Sequence, residues 1–450
     1  MAAAKQPSLN ELAAQVAELA KNFTAYLEKN KIPEPTLEPD SPTSYTGLDG
    51  ESFVLRQKLL DTISDLSILV SGPSESIFNY VHNSMPDVAC LNIMNHFNFW
   101  TAVPLDGTAT LPEIAKHANL PLSIVTRLIE HGTTLHLFTY TSPNTPQTSS
   151  VRHTSRSASL ARDAGLRALV STILDDAAAP MCFMTQALEK YAVGKETIEE
   201  NMEETAFRLM HSGELFKNGY KNSWEFIEGD GEGERKGWRQ RNFTAFMKYL
   251  KDIFFYEQVV AEAYDWKAAG DIKVVDIGGS GGHDAFVLAE KFPNLTINVQ
   301  DLPEVTPVFK ANVPSALSSR VTFTAHSFFN PQPVSADVYM LKLILHDWPD
   351  SESIQILKGL TASMKPGSRV LFIDYVGKQG GEEGVADLPR SIVQMGTSTD
   401  LRMMALFATR ERPASAWKEL FKKADERYDI VRVEANPMTF FVIIEAVWRG

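Results

Sequence analysis

The chain has 450 residues, of which 44% are hydrophobic and 22% charged, and its formal net charge is −13. That length suffices for about two or three hydrophobic cores, and the composition is ordinary for a globular protein. The negative charge argues against nucleic acid or an anionic membrane surface as a main partner, because phosphate-rich partners require a basic surface.

Cysteine usage and the lack of targeting signals indicate the compartment. Cys90 and Cys182 are the only cysteines, and both lie in apolar helical contexts. We expect two buried thiols in a reducing compartment, not a disulfide or a metal site. No apolar run approaches the roughly 18 residues of a membrane span, and the N-terminus lacks the pattern of a signal peptide. A cytoplasmic protein without a bound metal is therefore expected.

Residues 1–45 are predicted to form a helix and a linker. Apolar residues fall three and four apart between Leu9 and Tyr26, as in an amphipathic helix. The four prolines of IPEPTLEPDSPTS then indicate an extended segment. Two more helices are predicted at 53–70 and 74–99. Because they are strongly apolar, we expect them to bury against a partner subunit.

Residues 46–155 include a unit with the pattern of a winged helix. TLPEIAKHANL and SIVTRLIEHGTTLHLF are predicted to be two helices joined by a short turn, and a strand-like tail follows. Such a unit either recognises DNA or serves as a structural module. The second helix offers one arginine, Arg127, and the whole chain is acidic, so the structural role is favoured.

Residues 156–270 are predicted to be mostly helical, with helices at 158–180, 181–193 and 242–264. From residue 271 strands and helices alternate, and the strand candidates are IKVVDI, LTINVQ, VTFTAH, DVYMLKLIL and RVLFIDYV. Helices separate most of them, as parallel strands require. RYDIVRVEA and FFVIIEAVW, joined by a short turn, indicate an antiparallel pair at one edge. The predicted fold class is α/β, a doubly wound, mostly parallel Rossmann-like sheet with an antiparallel edge, preceded by an all-α, winged-helix domain.

The turn Gly278–Gly282 after the first of these strands indicates a nucleotide-like ligand. A dinucleotide-binding fingerprint has glycine at its sixth position, but counted from Gly279 this position is Asp284. Asp276 is also close to the turn. Two carboxylates disfavour a pyrophosphate but suit a cationic ligand. Asp301, 20 residues beyond Gly281, is placed to bind ribose hydroxyls. Ribose with a cation and no phosphate describes S-adenosylmethionine (SAM); the alternative is an ordinary turn with solvated acids.

A histidine follows the fourth strand, where ligands of open α/β sheets bind. His346 begins the run HDWPD. Histidine titrates near neutrality and can accept a proton from a phenol, whose pKa is about 10. The alternative is a histidine that caps the next helix, beside the capping-type acids Asp347 and Asp350.

These motifs together resemble those of the plant and fungal small-molecule O-methyltransferases, which are SAM-dependent. The matching stretches are DIGGSGGH, QDLPEV, LKLILHDWPD, KPGSRVLFID and DLRMMALFATRERPASAW. The resemblance implies a homodimer built by 46–155, a connector at 156–270 that lines the acceptor pocket, and a SAM-binding methyltransferase domain at 271–450. The expected substrate is a small hydrophobic or aromatic molecule.

The same resemblance implies a role for each site residue. His346 would be the general base, held by Glu411 and by Asp374, which stands where plant members have glutamate. The expected acceptor contacts are Phe243, Met247, Met403 and Met404. The expected cofactor contacts are Gly278, Gly279, Ser280, Asp301, Leu302, Ser327, Phe328 and Lys342.

One departure from the family pattern keeps a second function open. Ser327 replaces the acid that usually meets the adenine amino group. Some fungal members of this fold catalyse dehydration and pericyclic ring closure of a polyketide-derived intermediate without methyl transfer. In such an enzyme Lys342 or His346 would donate a hydrogen bond to a carbonyl. A DNA-binding regulator is the third and least favoured hypothesis.

Overall fold

A computed structural model describes residues 6–45, 47–142, 150–196, 200–212, 219–253, 256–375, 389–436 and 441–450. The chain forms two compact units. The first comprises Met1–Ala179, Phe226–Ile253 and Pro389–Ser391, and the second comprises Pro180–Glu225, Phe254–Leu388 and Ile392–Gly450.

The N-terminal part of the chain is helical. Its first helix, α1 (Leu9–Asn30), begins at a capping box, in which the Ser8 hydroxyl accepts from the Glu11 amide and the Glu11 carboxylate accepts from the Ser8 amide. It ends at Lys31 in the left-handed conformation, and the predicted proline-rich linker follows. The next helices are α2 (Gly50–Ser71), α3 (Pro73–His96) and α4 (Phe99–Ala102).

A winged-helix arrangement follows as predicted. Two helices, α5 (Leu111–Ala118) and α6 (Leu122–Thr134), pack beside a three-stranded antiparallel sheet in the order β1-β3-β2. Its strands are β1 (Ala109–Thr110), β2 (Phe138–Tyr140) and β3 (Ser150–His153). The core here is apolar, and Trp100, Ile114, Ile129 and Val151 are fully buried in it.

The predicted helix at 158–180 is divided in the structure. Asp163 adopts an extended conformation and its carboxylate accepts from the Gly165 and Leu166 amides, which starts a new helix. The helices of this part of the chain are α7 (Ser155–Arg162), α8 (Ala164–Ser171), a π-helical turn (Thr172–Ala177), α9 (Ala178–Met181), α10 (Met184–Tyr191), α11 (Ala206–His211), α12 (Ser223–Gly229), α13 (Trp238–Ile253) and α14 (Tyr256–Glu262). The predicted helix at 242–264 is described on both sides of residues 254–255, which lie outside the described residues.

The prediction for the two cysteines is half right. Cys90 is buried in α3, and burial raises the pKa of its thiol to about 11. Cys182 is exposed, so its predicted burial is wrong, because it lies in the break between α9 and α10. No single helix in the described part of the chain is both long and apolar enough to cross a membrane; one bent pair, Ala164–Met181 with Met184–Tyr191, passes that test of length and composition only when counted together.

The second unit contains the predicted α/β sheet. Its seven strands lie in the order β6-β5-β4-β7-β8-β10-β9. The first five in sequence pair in parallel, and β10 is antiparallel to both β8 and β9. The fold class is confirmed. The strands are β4 (Ile272–Ile277), β5 (Leu295–Asp301), β6 (Val321–Ala325), β7 (Val338–Lys342), β8 (Arg369–Tyr375), β9 (Tyr428–Asn436) and β10 (Phe441–Trp448).

Helices cover this sheet and fix its core. They are α15 (His283–Lys291), α16 (Thr306–Asn312), α17 (Asp350–Leu360), α18 (Arg390–Phe407) and α19 (Ala414–Ala424). Tyr339, Phe372, Trp417 and Phe421 are fully buried in one cluster of this core. Because parallel strands end at one edge of the sheet, the segments that follow β4, β5, β6, β7 and β8 meet there.

Candidate active site

The turn after β4 depends on glycine at several of its positions. Gly278 and Gly282 have φ of 67° and 85°, in the region that favours glycine. The Gly278 and Gly279 amides donate to the Gln300 carbonyl at 2.8 and 3.2 Å. A Cβ on Gly279 would lie 2.8 Å from Val299 Cγ1 and closer still to the Asp276 carboxylate. The turn therefore packs so closely against β4 and β5 that position 279 has no room for a side chain.

Asp301 holds this turn from the end of β5. One carboxylate oxygen accepts from the Ser280 amide at 2.8 Å and the other from the Leu302 amide at 2.7 Å. Burial raises the pKa of Asp301, although the two amide hydrogen bonds act in the opposite direction. Ser280 has a φ of 50° and Leu302 is 47% exposed. The structure therefore brings together five of the predicted cofactor contacts, Gly278, Gly279, Ser280, Asp301 and Leu302, and their binding role stays a prediction.

Three other predicted cofactor residues, Ser327, Phe328 and Lys342, lie at the same edge of the sheet. Phe328 follows β6 and reaches within 4.0 Å of the position of a Cβ on Gly278. It packs edge-on against Trp348, with 5.8 Å between ring centroids. Ser327, next to it, is half buried.

Lys342, at the end of β7, forms a buried ion pair. Its Nζ lies 2.9 Å from each carboxylate oxygen of Asp284, in the first turn of α15. Whether Lys342 contacts the cofactor stays a prediction.

His346 lies in the short 3₁₀ turn Leu345–Asp347 that follows β7, and it is 8% exposed. Its Nδ1 lies 3.4 Å from Glu411 Oε1, and its Nε2 lies 3.5 Å from Asp347 Oδ1. The ring also packs edge-on against Tyr375, with 5.3 Å between centroids. Pro349 is the N-cap of α17, so His346 does not cap that helix.

Asp374 reaches His346 by a different route from the one predicted. Its Oδ2 accepts from the backbone amide of His346 at 3.3 Å, and its Oδ1 accepts from the Tyr375 amide at 2.9 Å. Aspartate is one methylene shorter than the glutamate of plant members, and here its contact is with the backbone of the turn. Asp347, which we considered only as a capping acid, is the second residue beside the ring.

Buried carboxylates control the charge of this site. Burial alone would lower the pKa of His346, but Asp347, Asp374 and Glu411 together outweigh it and raise that pKa well above 6.5. Burial raises the pKa of Asp374 to about 7, against the attraction of His346. Glu411 Oε2 is buried without a hydrogen-bond partner among the described residues. The site therefore stabilises an imidazolium strongly.

The four predicted acceptor contacts divide between the two units. Phe243 and Met247 lie one turn apart on α13 in the first unit, and both are half buried. Met403 and Met404 lie on α18 in the second unit. Met404 lines a cavity of about 820 Å³ together with side chains of α10, such as Leu188. Their binding of an acceptor stays a prediction.

Comparisons with known proteins show the family and the fold of the chain. Residues 211–425 match the O-methyltransferase domain. The chain is 39% identical over 444 residues to O-methyltransferase lcsG of Purpureocillium lilacinum, which covers 98% of this chain and 94% of that protein.

Two solved structures are similar in fold. One, described as a pericyclic reaction enzyme, has a TM-score of 0.70 and 20% identity and covers 97% of this chain and 100% of its own. The other is LepI in complex with SAM, with a TM-score of 0.69, 20% identity and coverage of 97% and 99%.

Proposed function

The chain belongs to the O-methyltransferase family, and on that premise we propose that it transfers a methyl group from SAM to a hydroxyl of a small aromatic or polyketide-derived molecule. The observation that carries this proposal is the placement of His346, which contacts Glu411 at the sheet edge that also presents the glycine turn. A base and a nucleoside cradle at one edge are what this reaction needs.

The glycine turn and the nearby carboxylates support SAM as the cofactor. The backbone of Gly278–Gly282 would lie against the nucleoside, and Asp301 would accept hydrogen bonds from the ribose hydroxyls. When bound, SAM supplies an electrophilic methyl carbon on a sulfonium. Asp276 and Asp301 suit that positive charge and would repel a pyrophosphate, whereas Lys342 already balances the charge of Asp284 at 2.9 Å.

The proposed work of the protein side chains is proton removal and orientation. Glu411 lies on the Nδ1 side of the His346 ring, so the hydroxyl proton would be taken at Nε2, whose present neighbour is the Asp347 carboxylate at 3.5 Å. The neighbouring carboxylates raise the pKa of His346, which brings it closer to the pKa of about 10 of a phenol. Proton transfer from the hydroxyl to neutral His346 then becomes more favourable, but a smaller fraction of His346 is neutral at pH 7.

The direct test is incubation of the full chain with SAM and a panel of phenolic and polyketide acceptors. We expect S-adenosylhomocysteine (SAH) and a product heavier by one methyl group. His346→Ala should abolish both, whereas His117→Ala, at an exposed position of α5, should not. Methyl transfer that survives in His346→Ala would refute the role of this base.

One observation favours a second candidate function. The raised pKa of His346 keeps the imidazolium form available, and an imidazolium is a hydrogen-bond donor to a carbonyl. A dehydratase or pericyclase would use it in that way. Loss of water, or a product of unchanged mass, would identify this function in the same assay.

We also propose a homodimer formed through α3. Its side chains Ile77, Phe78, Tyr80, Val81 and Met85 are 58–75% exposed, and a contiguous apolar patch of this kind marks an interaction surface. The double variant Phe78→Asp, Val81→Asp should run as a monomer in light scattering, while Glu75→Asp should leave the dimer intact. A wild-type monomer would contradict the proposal.

A further inference from the structure

Arg412 is a buried cation that the reaction scheme above does not use. It follows Glu411 in the loop between α18 and α19, and its side chain is fully buried. Its guanidinium lies over the ring of Trp417 at 4.9 Å. A buried charge is costly unless hydrogen bonds satisfy it, so its partners indicate what it does.

Two of those partners are backbone carbonyls on either side of His346. Arg412 Nη1 donates to the Leu345 carbonyl at 3.4 Å, and Nη2 donates to the Trp348 carbonyl at 3.0 Å. The same guanidinium therefore holds the beginning and the end of the turn that carries the base. Because Arg412 is the next residue after Glu411, it also fixes the loop that orients the ring.

Two carboxylates complete the hydrogen bonding of Arg412 and balance its positive charge. Arg412 Nε donates to Asp350 Oδ1 at 2.7 Å, and Nη2 donates to Glu200 Oε2 at 3.1 Å. Glu200 Oε2 also accepts from the Asp350 amide at 2.6 Å. A planar guanidinium can serve all these directions at once, which a lysine ammonium cannot do.

We propose that Arg412 is a positioning residue, which sets the distance between His346 and Glu411 by holding the two loops that carry them. This inference rests on the proposed function. The groups that face the imidazole are Asp347 on its own turn, Asp374 and Tyr375 of β8, and Glu411 of the clamped loop. Because Arg412 holds both the turn that carries His346 and the loop that carries Glu411, loosening it changes the distance between the His346 ring and Glu411.

Arg410 provides a matched control in the same loop. It contacts the same two carboxylates, Glu200 at 3.4 Å and Asp350 at 3.8 Å, but its side chain is 57% exposed. Exposed ion pairs contribute little. Only Arg412 also holds the Leu345 and Trp348 carbonyls, a contact that we call the clamp. Comparing Arg412 with Arg410 therefore separates the effect of the clamp from the effect of the ion pairs that both arginines form.

The test compares Arg412→Lys and Arg410→Lys in the full chain. For Arg412→Lys we expect kcat to fall about 10- to 100-fold, since a misplacement of about 1 Å in a catalytic group costs that order. The SAH Kd should stay within about twofold, and the acid limb of the pH profile should move. Arg410→Lys should match the wild type in all three. An unchanged kcat and pH profile in folded Arg412→Lys would overturn the inference.

A second measurement works even without methyl transfer. The NMR titration of the His346 ring should shift in Arg412→Lys and stay constant in Arg410→Lys, because the Glu411 contact changes only in the first. If the wild type makes no SAH but the His346 titration still shifts in Arg412→Lys, the proposed function is refuted and the positioning role of Arg412 is supported. A constant titration in both variants would refute the clamp alone.

Discussion

Replacing Gly279 by alanine would force the glycine turn away from β4 and β5. The new Cβ would lie 2.8 Å from Val299 Cγ1 and nearer still to the carboxylate of Asp276. Both neighbours are buried, at 0% and 2% exposure, so neither can swing away into solvent. Forcing a methyl group into such a site costs about 1–3 kcal/mol, and the turn must move to relieve it. If that energy is lost from cofactor binding, the Kd rises about 5- to 150-fold.

Calorimetric titration with SAH, beside urea unfolding, would measure both parts of this effect. We expect weaker SAH binding by at least about fivefold and a lower free energy of unfolding. The control is Gly396→Ala in α18, where a Cβ meets no heavy atom within 4 Å. That change should leave SAH binding intact and stabilise the helix by up to about 1 kcal/mol. Wild-type SAH affinity in Gly279→Ala would refute the assignment of this turn to the cofactor.

Two further predictions concern buried charges. Asp347→Asn removes a carboxylate 3.5 Å from the ring of His346, so the pKa of His346 should fall. The neutral base then forms at lower pH, and the ascending limb of the kcat/KM profile shifts to lower pH. An ascending limb that does not move would contradict a base whose pKa is raised by these acids. Lys342→Met leaves the buried Asp284 carboxylate without its cation, which should cost about 3–5 kcal/mol in urea unfolding. The double change with Asp284→Asn should recover more than half of that loss, and a double variant as unstable as the single one would show that the pair itself does not matter.

The sheet could be predicted from sequence because its signals are local. Apolar runs bounded by turn residues gave the five parallel strands, and β4 matches its predicted range of 272–277. The antiparallel edge followed from two alternating runs with too little chain between them for a crossover. The glycine turn, Asp301 and His346 could be predicted for the same reason, since each lies at or shortly after the end of a strand.

The contacts within the site depend on distant partners, which local patterns do not show. Arg412 meets Glu200 across 212 positions of sequence, and Lys342 meets Asp284 across 58. The route from Asp374 to the backbone of His346, and not to its ring, depends on where β8 ends beside the 3₁₀ turn. The exposure of Cys182 depends on a helix break that its apolar neighbours do not signal.

The surplus of acidic groups around His346 also bears on turnover. SAM carries a sulfonium charge that the thioether of SAH lacks, so a pocket rich in carboxylates attracts the donor more than the spent nucleoside. Under the proposed function, methyl transfer would then weaken the binding of SAH, and the dissociation of SAH would need no further conformational or chemical step. The same acids would disfavour acceptors that bear a carboxylate or a sulfate near the reacting hydroxyl.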